Sequence, residues 1–558
     1  MKAKSYILNY ALLIGAFFLS LHSWTQGLDT LNTDKVEFLG SGSVRIDGSR
    51  GAQILEDDVR FRYDTLLFRC DSLIIYSSKN TFFGYGNVHA TNQKSFNLTS
   101  DSMHVYQDKK IAHVYGNVRL QDSSYIMTTD SLHYNTEEKY AYYLNNGTIV
   151  NIENNEIITS KRGYYYPDSR SFFFKGDVVI ENPNYLVKSD TLNVLGEENT
   201  AYFFGPTKIF KEKSFVYCEN GFYNSETEIA QFKENAIIIH EGTEIRADSI
   251  YFNMKDEIAK GFKNVIVIDT ANKSIFHGDY LYTDQKKEYA LMTEDPLVMQ
   301  YDEKDTLFIT ADTIVTYKDS SQKAIINGFY HVAFLNSDFQ GKCDSLYYSE
   351  KDSLLNMYKD PILWQEDNQI TGDTIIIRTF DSKIDKMDIY SNAFIITYID
   401  SVFYNQVFSK NMEAFFVESE LDRVHAIGNG MTLYYPLEEE KTDSLRIRTI
   451  KGMNRIFCKD ILLQMKEKDI DKITFYDKPD GKYYPMNQLK LDEMRLRGFK
   501  WRVAERPMSV HDIYEKANPE KFNIQVETVK LLTKEEKEQK KSSAKAAEDQ
   551  LPLIISKP

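Results

Sequence analysis

The chain has 558 residues, of which 42% are hydrophobic, so a large core is available and global disorder is excluded. Tyr, Phe and Trp number 38, 34 and 3, a strand-forming signature, whereas 26 Gly and 12 Pro are too few for a collagenous or linker protein. A net charge of −15 excludes the basic stripe that a nucleic-acid binder needs, and 10 His and 4 Cys leave little material for a metal enzyme.

Lys2 and Lys4 precede an apolar run from Ile7 to Leu21 that closes on His22-Ser23-Trp24-Thr25-Gln26. Residues 1–26 are therefore predicted to be a secretory signal peptide. The alternative, an uncleaved anchor, needs about 20 apolar residues. Without the two lysines the balance becomes 65 − 82 = −17, an acidic exported protein.

Residues 27–435 read as a tandem repeat. A short phrase recurs: a small residue, Asp, Ser or Thr, then alternating apolar residues. It stands as Cys70-Asp71-Ser72-Leu73, Ser100-Asp101-Ser102-Met103, Thr129-Asp130-Ser131-Leu132, Ser189-Asp190-Thr191-Leu192 and Ala247-Asp248-Ser249-Ile250. It continues through Ala311-Asp312-Thr313-Ile314, Cys343-Asp344-Ser345-Leu346 and Gly372-Asp373-Thr374-Ile375. Worn copies at Lys161, Glu219 and Asp279 complete a column whose members are 29 to 33 residues apart. Such a period means stacked supersecondary units that share one core.

A second phrase pairs with the first: Gly or Asn, then β-formers, as in Gly86-Asn87-Val88, Gly116-Asn117-Val118 and Gly176-Asp177-Val178. Each unit is predicted to hold two strands of about ten residues with a kink in the second. Positions +2 and +4 from the Asp are apolar and predicted to face inward. They are Leu73 and Ile75, Met103 and Val105, Leu132 and Tyr134, Leu192 and Val194, Ile250 and Phe252, Leu346 and Tyr348, and Ile375 and Ile377. The Asp itself is expected to start a strand, bonding nearby backbone N–H groups in a turn.

Residues 436–531 read as degenerate repeats or a carboxy-terminal cap, with Leu491 to Pro507 outside the repeat pattern, and 532–558 as a charged flexible tail. Cys70 and Cys218 lie five units apart, too far for a disulfide if each unit adds a strand spacing, so the cysteines are expected to pack unpaired. His104 and His133 share one outward slot, with His89 and His113 near in sequence, but no Glu or Cys at ligand spacing accompanies them. The sequence carries no Gly-x-Ser-x-Gly elbow and no phosphate-cradling loop, so neither an enzyme nor a cofactor is expected.

Two paired phrases carry a family resemblance: Gly84-Tyr85-Gly86-Asn87-Val88 with Thr99-Ser100-Asp101-Ser102-Met103, and Val114-Tyr115-Gly116-Asn117-Val118 with Thr128-Thr129-Asp130-Ser131-Leu132. With the 30-residue register, residues 35–435 resemble the OstA-like family of LptA and the LptD amino-terminal domain. The resemblance implies an all-β fold, an elongated β-jellyroll solenoid with two facing antiparallel sheets across an apolar groove. It implies a periplasmic protein, alone or associated with the outer membrane, that carries lipopolysaccharide or a related glycolipid. It also implies end-to-end β-jellyroll contacts with other lipopolysaccharide-transport proteins of the inner and outer membrane. The groove-lining set would then be the +2 and +4 residues above together with Val88, Val118 and Val178. This chain has more units than a small bridge protein and shows no barrel-like strands after them, unlike a full LptD-type translocon. A structural or adhesive β-solenoid without lipid is the rival reading, and a polysaccharide-lyase type of enzyme a more distant one.

Overall fold

The computed structural model describes residues 36–517, apart from positions 64–65, 94–95, 122–124, 153–154, 167–168, 170, 302–304, 381–382, 401, 419, 443–444 and 467–468. The expected signal peptide at 1–26 and charged tail at 532–558 lie outside the described residues. From Val36 to Pro485 the chain runs as a meander of antiparallel strands, typified by Leu66–Tyr76, Thr81–Thr91, Asn97–Tyr106 and Ile111–Gln121. Among the described residues 36 strands join one hydrogen-bonded sheet. The ladder thus continues past residue 435, through the strands Gly452–Lys466 and Asp480–Pro485.

One crease runs the length of this sheet. Tyr85 pairs with Ser102 and Val88 with Ser100, so Gly86 and Asn87 together oppose the single residue Asp101. That two-against-one count is a β-bulge, which bends the strand. Both bulge residues are left-handed: φ is 71° at Gly86 and 45° at Asn87, 73° at Gly116 and 46° at Asn117, and 58° at Lys263 and 49° at Asn264. Gly carries that conformation without penalty and Asn carries it more readily than most residues, which accounts for the Gly-Asn phrase. A Cβ on Gly86 or Gly116 would also collide with the carboxylate of Asp71 or Asp101.

The two repeated phrases meet at this crease. The Asn87 side-chain amide donates to Asp71 (2.8 Å), Asn117 to Asp101 (2.9 Å), Asn264 to Asp248 (3.1 Å) and Asn392 to Asp373 (3.2 Å). Asp71, Asp101 and Asp248 therefore sit in mid-strand and bond a neighbouring strand's side chain, whereas Asp312 and Asp373 stand just before the strands Thr313–Lys318 and Thr374–Phe380, where the turn reading expects them. The Lys161–Asp177 ion pair and the hydrogen bond between His331 Nδ1 and Asp312 stand in the same place in divergent units. The small residue before the Asp has a role as well. Ser100 and Ser189, and Ser409 before Lys410 in a worn copy, each donate to the carbonyl two residues on (3.3, 3.1 and 2.7 Å), closing the bulge from inside.

The crease divides the sheet into two walls. At Tyr125–Asn135 they separate: residues 125–129 pair with the strand Gly147–Asn151, and residues 133–135 with Tyr140–Tyr143. The walls also touch face to face. The Phe61 and Phe82 rings, one from each wall, meet edge-on at 5.8 Å, and Tyr143 hydrogen-bonds Ser160 across the fold at 2.7 Å. The two facing sheets implied by the family resemblance are thus the two halves of one folded ladder.

Past the ladder, residues 486–517 turn back along the outer face of the second wall. Met494, Leu496, Phe499 and Trp501 cover Phe394, Ile396, Tyr404 and Leu433. Ile513, on the helix Val510–Ala517, is buried against Ile275, Leu297, Met299 and Ala333. Glutamines on the wall act as clamps for this strap. Gln406 donates to the Met494 carbonyl and accepts from the Leu496 amide (2.9 and 2.8 Å). Gln369 does the same for Lys500 and Arg502 (2.8 and 2.7 Å), and Gln340 accepts from the Arg506 guanidinium at 2.7 Å.

Two outcomes follow from these contacts. Asn117→Ala removes one crease bond to a charged acceptor and is expected to weaken that unit by about 1–2 kcal/mol. Hydrogen exchange should quicken by about 5–30-fold in the strands Asn97–Tyr106 and Ile111–Gln121 and stay unchanged around Ile250, because repeats report to near neighbours. Uniform acceleration along the chain would count against the crease as a local device. Gln369→Ala leaves the Lys500 carbonyl and the Arg502 amide without their clamp, at a cost of about 1–3 kcal/mol each if they stay buried. Tryptic cleavage after Lys500 and Arg502 should then accelerate about tenfold or more while the β circular-dichroism signal is retained.

Candidate functional site

The space between the walls is the candidate site. Alternation sends every second side chain inward, and the crease resets its parity. Before the Asp, positions −1 and −3 point in; after it, positions +2 and +4 do. On the strand Leu66–Tyr76 this places Phe68 and Cys70 on the second wall and Leu73 and Ile75 on the first. The bulge's extra residue lies on the neighbouring strand, whose inward positions Phe82, Gly84, Val88 and Ala90 keep one parity, and the phase shift falls on the Asp strand.

Of the sequence-predicted residues, Leu73, Met103, Val105, Leu132, Leu192, Val194, Ile250, Phe252, Leu346, Ile375 and Ile377 are buried on the first wall. Val88, Val118 and Val178 are buried on the second, paired beside Ser100, Thr129 and Ser189. Ile75, Tyr134 and Tyr348 are half-buried, near the free edge away from the crease. The set is brought together as a long column and not as a compact pocket.

Sequence reasoning missed half of this interior. Phe68, Leu98, Ile158, Val187, Val216 and Ile245 line the second wall from the −3 slot. Phe82, Phe174, Phe203 and Phe232 line the first wall from the strand before each corner. The signal was present as the same period-2 alternation, but carrying it backwards through the Asp without the change of phase at the corner gives −2 and −4, the wrong face.

The interior is closely packed. Leu73, Leu192 and Ile250 are each 1% exposed, so the walls fill the space between them with their own side chains. A Cβ on Gly84 would lie 3.5 Å from the Cys70 sulfur and 3.8 Å from Val88, which shows how near the walls come beside the crease. Burial pushes the Cys70 thiol up to about 11 and those of Cys218 and Cys343 to about 12, so all three are neutral inside. Burial likewise raises the Tyr143 phenol to about 12, against the opposing effect of its bond to Ser160. No ion pair or nucleophile–base pair stands among these lining residues; the arrangement offers apolar surface and a row of hydroxyls at the crease. Among the described residues no cluster of three metal-ligating side chains forms.

Comparison with known proteins bears on two segments. Residues 33–190 match the family described as OstA-like protein, and residues 278–382 match the LptA/LptD amino-terminal family of lipopolysaccharide-transport proteins. No curated protein matches the chain. Among solved structures it is similar to LptH, the LptA-homologous periplasmic component of the lipopolysaccharide transport device from Pseudomonas aeruginosa. That likeness is at 14% identity over 19% of this chain and 81% of that one, with a TM-score of 0.18. The repeats within residues 33–190 are thus similar to those of OstA-like proteins, and those within residues 278–382 to the LptA and LptD amino-terminal type.

Proposed function

We propose that this protein is a non-enzymatic, periplasmic bridge that carries lipopolysaccharide or a related glycolipid between its two walls toward the outer membrane. The observation that carries the reading is the length of the interior: apolar side chains from both walls follow one another from Leu55 to Leu463 through successive clusters. Each buried methylene contributes about 0.8 kcal/mol, so acyl chains leave water readily for such a surface. A repeated interior gives each step nearly the same affinity, which favours sliding over trapping. The hydroxyls stay at the crease, away from the free edge where a head group would emerge. Since the walls touch, a lipid must part them, exchanging wall-to-wall contacts for wall-to-acyl contacts of the same chemistry. Energy for movement then comes from a partner.

End-to-end partners are supported by the amino-terminal edge of the ladder. Val36–Gly40 and Ser43–Asp47 each pair only with Ala52–Tyr63, one on each side of its bulge, leaving an outer edge without a strand partner among the described residues. Phe38, Leu39, Val44 and Ile46 are exposed there. An open edge with apolar side chains suits strand addition by another β-jellyroll.

One observation favours a second reading. The near-complete burial of Leu73, Leu192 and Ile250 is what a solenoid with a permanently filled core would have. Photocrosslinking separates the two. A reactive residue at Leu192 or at half-buried Tyr134 should label lipopolysaccharide in cells exporting it, and one at outward-facing Asn193 should not. In the same cells Leu192→Asp should stop transport, since an unpaired buried carboxylate costs several kcal/mol, whereas Asn193→Asp should be silent. Labelling from none of the inward sites during active export, or equal labelling from Asn193, would promote the filled solenoid.

A further inference from the structure

The outer face of the first wall carries a feature that acyl transport does not use. Register places Phe83, His104, His113, His133, Tyr142, Tyr164 and Phe173 directly opposite one another on successive strands. Their rings touch in series: Phe83 to His104 at 4.8 Å, His133 to Tyr142 at 4.9 Å, and Tyr142 to Tyr164 at 5.7 Å. Burial, helped at His113 by His104 and Lys109 and at His133 by His113, holds the three imidazoles below their usual range, so this row is neutral at pH 7.

At its amino-terminal end the row runs into a recess of about 460 Å³ at the free edge of the wall. Tyr76, Phe83 and Tyr106 form its floor, with ring centroids 5.8 and 5.6 Å apart. Two stacked hairpin turns form its rim, joined by the Gln107 amide to the Asn80 carbonyl (3.0 Å) and by the Asn80 side chain to Asp108 (2.9 Å). Lys79 reaches to 5.7 Å from the Tyr76 ring and Lys109 to 5.5 Å from the Tyr106 ring. Neither lysine has an ion-pair partner among the described residues, and the one acid in the rim is already bonded to Asn80.

We propose that this recess binds a saccharide bearing phosphate or carboxylate groups. Phe83 stands edge-on to both Tyr76 and Tyr106, at 61° and 64°, so the floor is a faceted apolar surface whose rings the sheet already fixes, and a C–H face of a sugar can rest on one of them at little entropic cost. The two unpaired ammonium groups above the floor match an anionic substituent, and Thr81 and the rim polar groups can bond hydroxyls. A peptide strand is the poorer fit, because the neighbouring backbone groups are already paired within the ladder. Position points the same way. Ile75 and Val105 project inward from the residues next to Tyr76 and Tyr106 at the same edge, so a head group leaving the interior there comes out beside the recess. The inference rests on the lipid-carrying reading for that last step only.

Calorimetry on the full chain tests it, with fully deacylated lipopolysaccharide as the probe and neutral maltoheptaose and inorganic phosphate as comparisons. Saturable binding of the deacylated sugar is expected, weaker for maltoheptaose and weakest for phosphate. Lys79→Gln and Lys109→Gln, both exposed, should each weaken it about 3–5-fold, and Tyr106→Leu about tenfold. All three variants should retain the β circular-dichroism spectrum. Absence of saturable binding, binding unchanged in the Lys79→Gln/Lys109→Gln double variant, or equal binding of phosphate alone would each overturn the proposal. The probe has no acyl chains, so its failure with Leu192 crosslinking intact removes the recess and leaves the lipid-carrying reading. Loss of crosslinking with sugar binding intact does the reverse.

Discussion

The fold depends on how a long antiparallel ladder is bent at the same level in strand after strand. A strand cannot turn sharply with ordinary dihedrals, and two successive left-handed residues solve this at a cost of roughly 1–2 kcal/mol for each residue that is not Gly. Pairing the left-handed Asn with the Asp of the preceding strand returns part of that cost and ties each corner to its neighbour. The crease is therefore made of contacts between units, which keeps the corners aligned along the ladder. Where Asn is replaced by Asp177 the column residue is Lys161, and where it is replaced by His331 the column keeps Asp312, so the bridge survives with different chemistry.

Bending the sheet has a consequence for polarity. A flat two-faced sheet would need a second body to cover its apolar side, whereas a creased one covers itself. Both inner surfaces are then apolar for the whole length, and the polar atoms that the crease demands are held at its apex by short side chains such as Ser100, Ser189 and Ser409. Toward the opposite edge the described residues of the two walls meet through side chains, as Tyr63 and Phe82 do at 5.8 Å.

The outer faces differ between the walls. The second wall is apolar outside in its carboxy-terminal half, and the strap of residues 486–517 covers it through Trp501, Phe499 and Ile513. The glutamines beneath the strap supply backbone-like hydrogen bonds where a strand edge is absent. The first wall keeps its outer face open, and its aromatic row lies in the amino-terminal half, away from the strap.

The sequence by itself determined the repeat, its period, the all-β class and one inward-facing set. Those are local properties: the Asp and Gly-Asn phrases recur because every unit needs the same corner, and +2/+4 alternation follows from strand geometry. What it left undecided were relations between strands. That Asp71 bonds Asn87, that −1 and −3 face inward, and that His113 falls between His104 and His133 all depend on which residues the bulge sets opposite each other. Likewise nothing in Leu491 to Pro507 announces a partner, because its glutamine clamps lie 88 to 166 residues away in the chain. Whether the interior is open or filled was also a tertiary matter, because it turns on how closely two apolar walls approach, and alternation along one strand carries no information about that distance.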